Sequence, residues 1–269
     1  SNFDLALLMW IFGANAEMAE ALGLKTESAR WLALKSQLDP LAVEGESGTL
    51  LAAPGEPLAE SHRHHSHLMA IHPLGLVHVE NGGRDRGIIE ASFKEIDRLG
   101  TSQWTGFSFS WMAAMQARAG RGGEALRFLR DFVESFIVRN GFHVNGEQTR
   151  KGLSDYRSRP FTLEGNFAAA QAVHEMLLQS WGGRIRVFPA MPAAWREASF
   201  ENLRAEGGFA VSANLRDGRT ARVTVRATVA QPLRLKNPFD GGRFESSRPA
   251  HQVGDEIRGG ILLAACDGS

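Results

Sequence analysis

Four of the seven residues from Ser61 to His67 are histidine, and Arg63 stands among them. Imidazole and guanidinium groups offer several N–H donors, which suits a neutral partner rich in hydroxyls. Three readings fit the cluster. His62, Arg63 and His64 form a strip that contacts a polar ligand; the histidines form a buried polar network at a helix start; or they hold a metal, since imidazole is a good zinc ligand. No His-Glu-x-x-His pair or carboxylate-rich helix accompanies them, so no metal site is assigned. The ligand strip is preferred because a loop-forming stretch, 43–60, with Gly45, Gly48, Pro54, Gly55 and Pro57, leads into it.

The second candidate runs from Arg159 to Phe167. Glu164 precedes a helical pattern, Gly165 permits close backbone approach, and Asn166 suits an N-cap. A helix N-terminus favours the ionised form of a carboxylate. An ionised carboxylate beside an amide suits a general base that orients water, so Glu164 and Asn166 are the catalytic candidates. Read in isolation, the pair is more simply explained as a helix cap. A third stretch, 141–148, is polar and turn-rich; it either lines a cleft or turns the chain. Trp104, Phe107 and Trp111 lie upstream. Aromatic faces stack on sugar rings, but most buried tryptophans are core; Trp111 is assigned to the core and Trp104 is left open.

Other chemistries find little support. Lys+Arg and Asp+Glu both number 30, so no net field draws the chain towards nucleic acid or an anionic membrane. The sequence has no phosphate-binding Gly-x-x-x-x-Gly-Lys-Ser/Thr loop, no Gly-x-Gly-x-x-Gly after a strand and no Gly-x-Ser-x-Gly elbow. No cofactor is implied. The single cysteine, Cys266, can form no intrachain disulfide, and nothing near it activates a thiolate. No apolar run approaches the length of a membrane span. The first residue is Ser1 and no signal peptide follows, which predicts a processed or trimmed chain.

The elements that must position these groups fall into two classes. Helical spacing runs over about 3–22, with Phe3, Leu7, Trp10, Ile11, Ala14, Met18 and Leu22 on one stripe ending at Gly23. Further helices are expected over about 26–38, 85–99, 105–120, 123–138 and 167–180. The last carries the stripe Phe167, Ala170, Val173, Leu177 and Leu178. After Gly183 the pattern alternates, and Asp217-Gly218 between two apolar runs is a hairpin signal. Helices followed by strands with little interleaving argue for separate layers or domains rather than a doubly wound sheet.

These segments, taken together, resemble family 95 glycoside hydrolases. "HRHHSHLMAIHPLGL" (62–76) is similar to that family's His-Arg-His-x-Ser-His-Leu stretch, and "RPFTLEGNFAAA" (159–170) to its Pro-Phe-x-x-Asp-Gly-Asn-Phe-Gly segment. "EMLLQSWGGRIRVFPAMPAAW" (175–195) and "LRAEGGFAV" (203–211) resemble two further family runs, in the family's order. The resemblance implies the C-terminal part of a helical (α/α)6 toroid over 1–182 and a small β-sandwich domain over 183–269. It implies an inverting hydrolase of terminal α-L-fucosyl or related α-L-galactosyl linkages, an oligosaccharide substrate and a periplasmic or secreted setting. Glu164 takes the place of the family's base-side Asp, one methylene longer. Asn166 matches the family Asn, and Arg63 and His64 match sugar-contacting positions. The family's general acid, a Glu, precedes the segment resembling residues 3–22 and has no match here. The expectation is therefore a chain inactive or nearly so by itself, either a fragment completed by an N-terminal part of the same protein or a natural short form that pairs with another chain. The alternative is a non-catalytic sugar-binding or scaffold remnant. A phosphorylase or lyase toroid is disfavoured by the missing anion loop, the single Tyr156 and the zero net charge.

Overall fold

The computed structural model describes residues 1–45, 48–239, 245–246 and 249–261. Six helices come first: α1 (Asn2–Ala21), α2 (Lys25–Ser36), α3 (Gly83–Leu99), α4 (Gly106–Arg118), α5 (Gly122–Phe136) and α6 (Glu164–Leu177). Short strands follow: β1 (Leu178–Gln179), β2 (Arg186–Val187), β3 (Ala198–Ala205), β4 (Phe209–Arg216), β5 (Arg219–Ala227), β6 (Pro232–Lys236), β7 (Ala250–Val253) and β8 (Glu256–Ile261). Among the described residues no helix is long and apolar enough to cross a membrane. Cys266 lies outside them.

Helices α4, α5 and α6 form the centre of the helical part. The first turns of α4 and α6 both abut His143, and a Cβ at Gly106 or Gly165 would fall within 3.0 Å of its ring. At the other end Arg118 of α4 pairs with Glu175 of α6, and Gln179 donates to the Ala117 carbonyl. The two helices are therefore parallel, and α5 returns between their ends. Trp104, Phe109, Met112, Phe128, Phe132, Phe136 and Met176 fill the core between them. Trp104, left open by the sequence, is thus a core residue, whereas Trp111 is half-buried and donates its indole N–H to the His72 carbonyl at 3.0 Å.

Two apolar stripes do not bury as their periodicity predicts. On α1 the buried residues are Asn2, Ala6, Ala16 and Ala19, while Trp10, Ile11, Met18 and Leu22 are exposed. Small residues let α1 approach the loop that Asn2 holds: its side-chain amide donates to the Ala42 and Leu51 carbonyls, both at 2.7 Å. On α6 the inward face is Gly165, Ala172, Glu175 and Met176; Phe167 is 67 % exposed and Leu178 belongs to β1. The helix also starts three residues earlier than expected. Leu163 is its N-cap and has no side-chain acceptor to offer, while Asn166 falls inside the first turn and bonds to the 141–143 loop instead.

The strands form three antiparallel sheets, in the orders β1-β2, β3-β4-β5 and β6-β8-β7. The β4–β5 hairpin turns at Asp217-Gly218, both at positive φ (51° and 76°), as the sequence predicts. Its core joins Val211, Ala213 and Val225 to Leu233, Leu235 and Ile257, so both three-stranded sheets contribute to one apolar cluster. The segment Arg184–Phe188, read as alternating, is instead buried at 185, 186 and 187. Arg186 tolerates burial there because Glu80 binds its guanidinium through Nε (3.0 Å) and Nη2 (2.6 Å).

Candidate functional site

The seven-residue histidine run divides by exposure. His62, Arg63 and His64 are exposed, whereas His65 and His67 are buried. The exposed strip is held by its backbone. Ser108, in the first turn of α4, donates its hydroxyl to the Arg63 carbonyl at 2.6 Å. The His64 N–H donates to His62 Nδ1 at 3.1 Å, and the two rings lie 5.5 Å apart, edge to face. His64 is pushed below the ordinary histidine range by partial burial and by the charges of Arg63 and His62.

The buried histidines are core groups. His65 lies against Trp104 (4.6 Å) and Trp111 (5.6 Å), with Nε2 3.3 Å from the Ser108 carbonyl. Burial drives its pKa down to about 3, and those of His67 and His72 to about 4. A neutral imidazole is the form such surroundings accept. The run therefore divides into buried core histidines, His65 and His67, and an exposed strip, His62 to His64.

Glu164 opens α6. Its carboxylate is exposed and, among the described residues, takes no hydrogen bond or ion pair. Four backbone N–H groups of a helix start lack intrahelical partners, so a negative charge is stabilised there. Asn166 does not cap the helix, contrary to the sequence reading. Its Oδ1 accepts the His143 N–H and its Nδ2 donates to the Gly141 carbonyl, both at 3.0 Å. It thus staples α6 to the loop 141–143, leaving one amide N–H and a lone pair for another partner.

The loop between α5 and α6 is shaped by Glu147. Its side chain is 0 % exposed and accepts from the N–H groups of Lys151, Leu153 (3.0 Å) and Ser154 (3.3 Å), from Thr149 Oγ1 (2.9 Å) and from Arg157 Nη1 (2.7 Å). Burial raises its pKa, but these donors outweigh it and hold the carboxyl near 2. It organises residues 149–157 and cannot supply a proton near neutral pH. The signal for this was present in the sequence as a lone carboxylate in a turn-rich loop; its ligands lie within ten residues.

The two candidate groups are linked indirectly. Arg63 sits on the first turn of α4 through Ser108, Gly106 of that turn abuts the His143 ring, and the same ring abuts Gly165 between Glu164 and Asn166. Both groups therefore stand at the N-terminal ends of the parallel pair α4 and α6. His143 lies in the stretch 141–148, which the sequence leaves open between cleft lining and turn; nothing local singles it out, because Gly106 and Gly165 meet it only in the fold.

Residues 1–177 match the family model described as the glycosyl hydrolase family 95 catalytic domain, and residues 179–256 match the glycoside hydrolase family 95 C-terminal domain. The chain is 29 % identical over 223 residues to a protein named alpha-L-fucosidase 2 from Arabidopsis thaliana, covering 81 % of this chain and 26 % of that protein. It is 28 % identical over 172 residues to a probable alpha-fucosidase A from Aspergillus niger, covering 59 % of this chain and 20 % of that one. The chain thus spans about a quarter or less of the length of the curated relatives it matches. With family models covering both its helical and its β part, this chain belongs to glycoside hydrolase family 95.

Proposed function

We propose that this chain carries the base side of an inverting α-L-fucosidase-type active site. The observation that supports this most is the unbonded, exposed carboxylate of Glu164 at the opening of α6, beside an Asn166 amide whose position is fixed twice. In the proposed reaction Glu164 accepts a proton from a water molecule as its oxygen bonds to the anomeric carbon. The bond from that carbon to the leaving oxygen breaks on the opposite face, and a second carboxyl group protonates the leaving oxygen. Inversion needs that group about 6.5–9.5 Å from the base, leaving room for the water. His62, Arg63 and His64 contribute hydrogen-bond donors to the sugar hydroxyls, and no metal takes part.

Glu147 does not serve as the acid, because it is buried and held near pKa 2. The acid belongs to an upstream part of the same polypeptide. That part completes an (α/α)6 ring by covering the exposed flank of Trp10, Ile11, Met18, Leu24 and Leu32 on α1 and α2 and the turn joining them. Residues 1–182 are the C-terminal part of that ring. Residues 183–269 are a β-domain whose two three-stranded sheets pack as a sandwich over their shared core. The test is a fucosidase assay on this chain, on the full-length polypeptide, and on the full-length polypeptide with Glu164→Gln. The chain alone shows little or no turnover, the full-length protein hydrolyses α-L-fucosides with inversion, and the Gln variant loses about 10²–10⁴-fold in kcat. Full activity of the Gln variant overturns the base assignment. An inactive full-length protein that still binds fucosides points instead to a sugar-binding remnant.

A further inference from the structure

We propose that His143 is a positioning residue, a neutral Nδ1–H imidazole that sets Glu164 and Asn166 relative to the first turn of α4. The proposal rests on the reading of Glu164 as the base.

His143 is fully buried and lies between three elements. Its ring faces Phe132 of α5 at 5.3 Å and meets α4 at Gly106 and α6 at Gly165. At either glycine a Cβ would fall within 3.0 Å of ring atoms, so the side chain occupies space that any other residue would take. Its main chain is bound on both sides: the N–H donates to Asn166 Oδ1 at 3.0 Å, and the carbonyl accepts the Thr162 N–H at 3.2 Å. One residue thus holds Thr162 and Asn166, which bracket Glu164.

The hydrogen bonds assign the tautomer. Nδ1 lies 3.1 Å from the Thr162 carbonyl oxygen and 2.7 Å from Thr162 Oγ1. A carbonyl only accepts, so Nδ1 carries the proton. Thr162 Oγ1 is then free to donate to Asn145 Oδ1 at 3.2 Å, which extends the same network into the loop. Nε2 is left as a buried acceptor without a partner among the described residues. An unmet buried acceptor is destabilising. A phenylalanine or leucine would avoid that cost but could not donate to Thr162. The ring therefore serves through its Nδ1–H and not as packing alone. Burial lowers its pKa, against the opposing influence of the Thr162 carbonyl and the Glu164 charge, which keeps the ring neutral.

The test uses the full-length polypeptide with His143→Ala, His143→Asn and Glu164→Gln. Asparagine places an amide N–H where Nδ1–H stands but, like alanine, leaves most of the ring volume empty. Misplacing a reacting group by about 1 Å can cost on the order of 100-fold. The Ala variant is expected to lose about that factor in kcat with KM changed by less than about threefold. The Asn variant recovers at least about tenfold of the loss, although both variants lose similar stability. Equal kcat in the Ala and Asn variants at equal stability overturns the proposal. If Glu164→Gln keeps full turnover while Asn still rescues, the base assignment fails and the positioning role stands. A ¹⁵N-histidine spectrum of the unsubstituted protein at neutral pH gives a readout independent of turnover. It is expected to show His143 as the neutral Nδ1–H tautomer, and an Nε2–H tautomer overturns the proposal.

Discussion

At their C-terminal ends α4 and α6 are joined by the half-buried Arg118 and the buried Glu175, through two N–H···O bonds of 2.5 and 2.9 Å. At their N-terminal ends the carboxylate of Glu164 is exposed and bonded to nothing among the described residues. The C-terminal end also abuts the β part. There Glu80 binds Arg186 and Lys236 (3.1 Å), and Arg186 stacks on Trp181 at 3.7 Å. Burial raises the pKa of Glu80, but Arg186 and Lys236 overcome it and bring it to about 2. A cavity of about 270 Å³ lies in this junction, lined by Glu80, Arg118, Trp181, Arg186 and Lys236. The difference between the two ends is one of pairing. Charges that hold elements together are saturated by partners, whereas a carboxylate that is to take a proton from water must be kept unsaturated.

The largest effect expected is from acid, and it separates the buried histidines from the exposed strip. His65, His67 and His72 have folded pKa values of about 3, 4 and 4, below the unfolded value near 6.5. In that interval the unfolded state binds more protons, so stability falls as pH drops below about 6.5 and continues falling to about 4. Each such group contributes up to about 1.4 kcal/mol per pH unit, so three together exceed any single substitution below. Urea unfolding at a series of pH values measures this. A flat profile from about pH 7 to 5 would mean that the three rings are hydrated.

Next in size is Arg118→Ala. It leaves Glu175 buried with only Gln171 Nε2 (3.0 Å) and, at 3.9 Å, His72 Nδ1 near it. Removing one member of a buried pair costs about 3–5 kcal/mol. A loss below about 1 kcal/mol in chemical unfolding would remove the contrast between the two helix ends. Glu147→Gln follows, at about 1.5–3 kcal/mol, since it weakens charge-assisted bonds to Arg157, Thr149 and three backbone amides. Faster hydrogen exchange at Lys151, Leu153 and Ser154 should accompany it. Unchanged protection there would show that the loop is held by something other than this carboxylate.

Much of this was legible in sequence, and the failures share a cause. Helix α5 reads correctly because its apolar positions Ala125, Phe128, Leu129, Phe132 and Phe136 meet neighbours within the chain. Helix α1 misreads because periodicity states which residues share a face and not what covers it. Trp10, Ile11, Met18 and Leu22 are exposed, and its alanines Ala6, Ala16 and Ala19 face inwards. The motifs carrying Arg63 and Glu164 were readable as residue types. Asn166 was not, because the helix starts ahead of it at Glu164 and its amide partners lie 23 and 25 residues away. The run 62–67 could not be divided into exposed and buried members without knowing that Trp104 and Trp111 close over His65.

The smallest expected effect is the stability change of Glu164→Gln, and its smallness is informative. The carboxylate is exposed and unbonded, so the substitution removes no hydrogen bond and creates no cavity. What it does remove is a negative charge in the first turn of α6, an interaction worth about 0.3–1 kcal/mol at low ionic strength. Salt screens such a charge, with a Debye length of about 8 Å near 0.15 M and 3 Å at 1 M. The variant should therefore be slightly less stable than the parent at low salt and indistinguishable from it at about 1 M. Thermal unfolding of both proteins across that range reads the difference directly. A salt-independent loss above about 2 kcal/mol would mean that Glu164 is bound to a partner when folded. In that case it would resemble Glu175 at the other end of the helix, and a carboxylate so engaged would not be free to activate water.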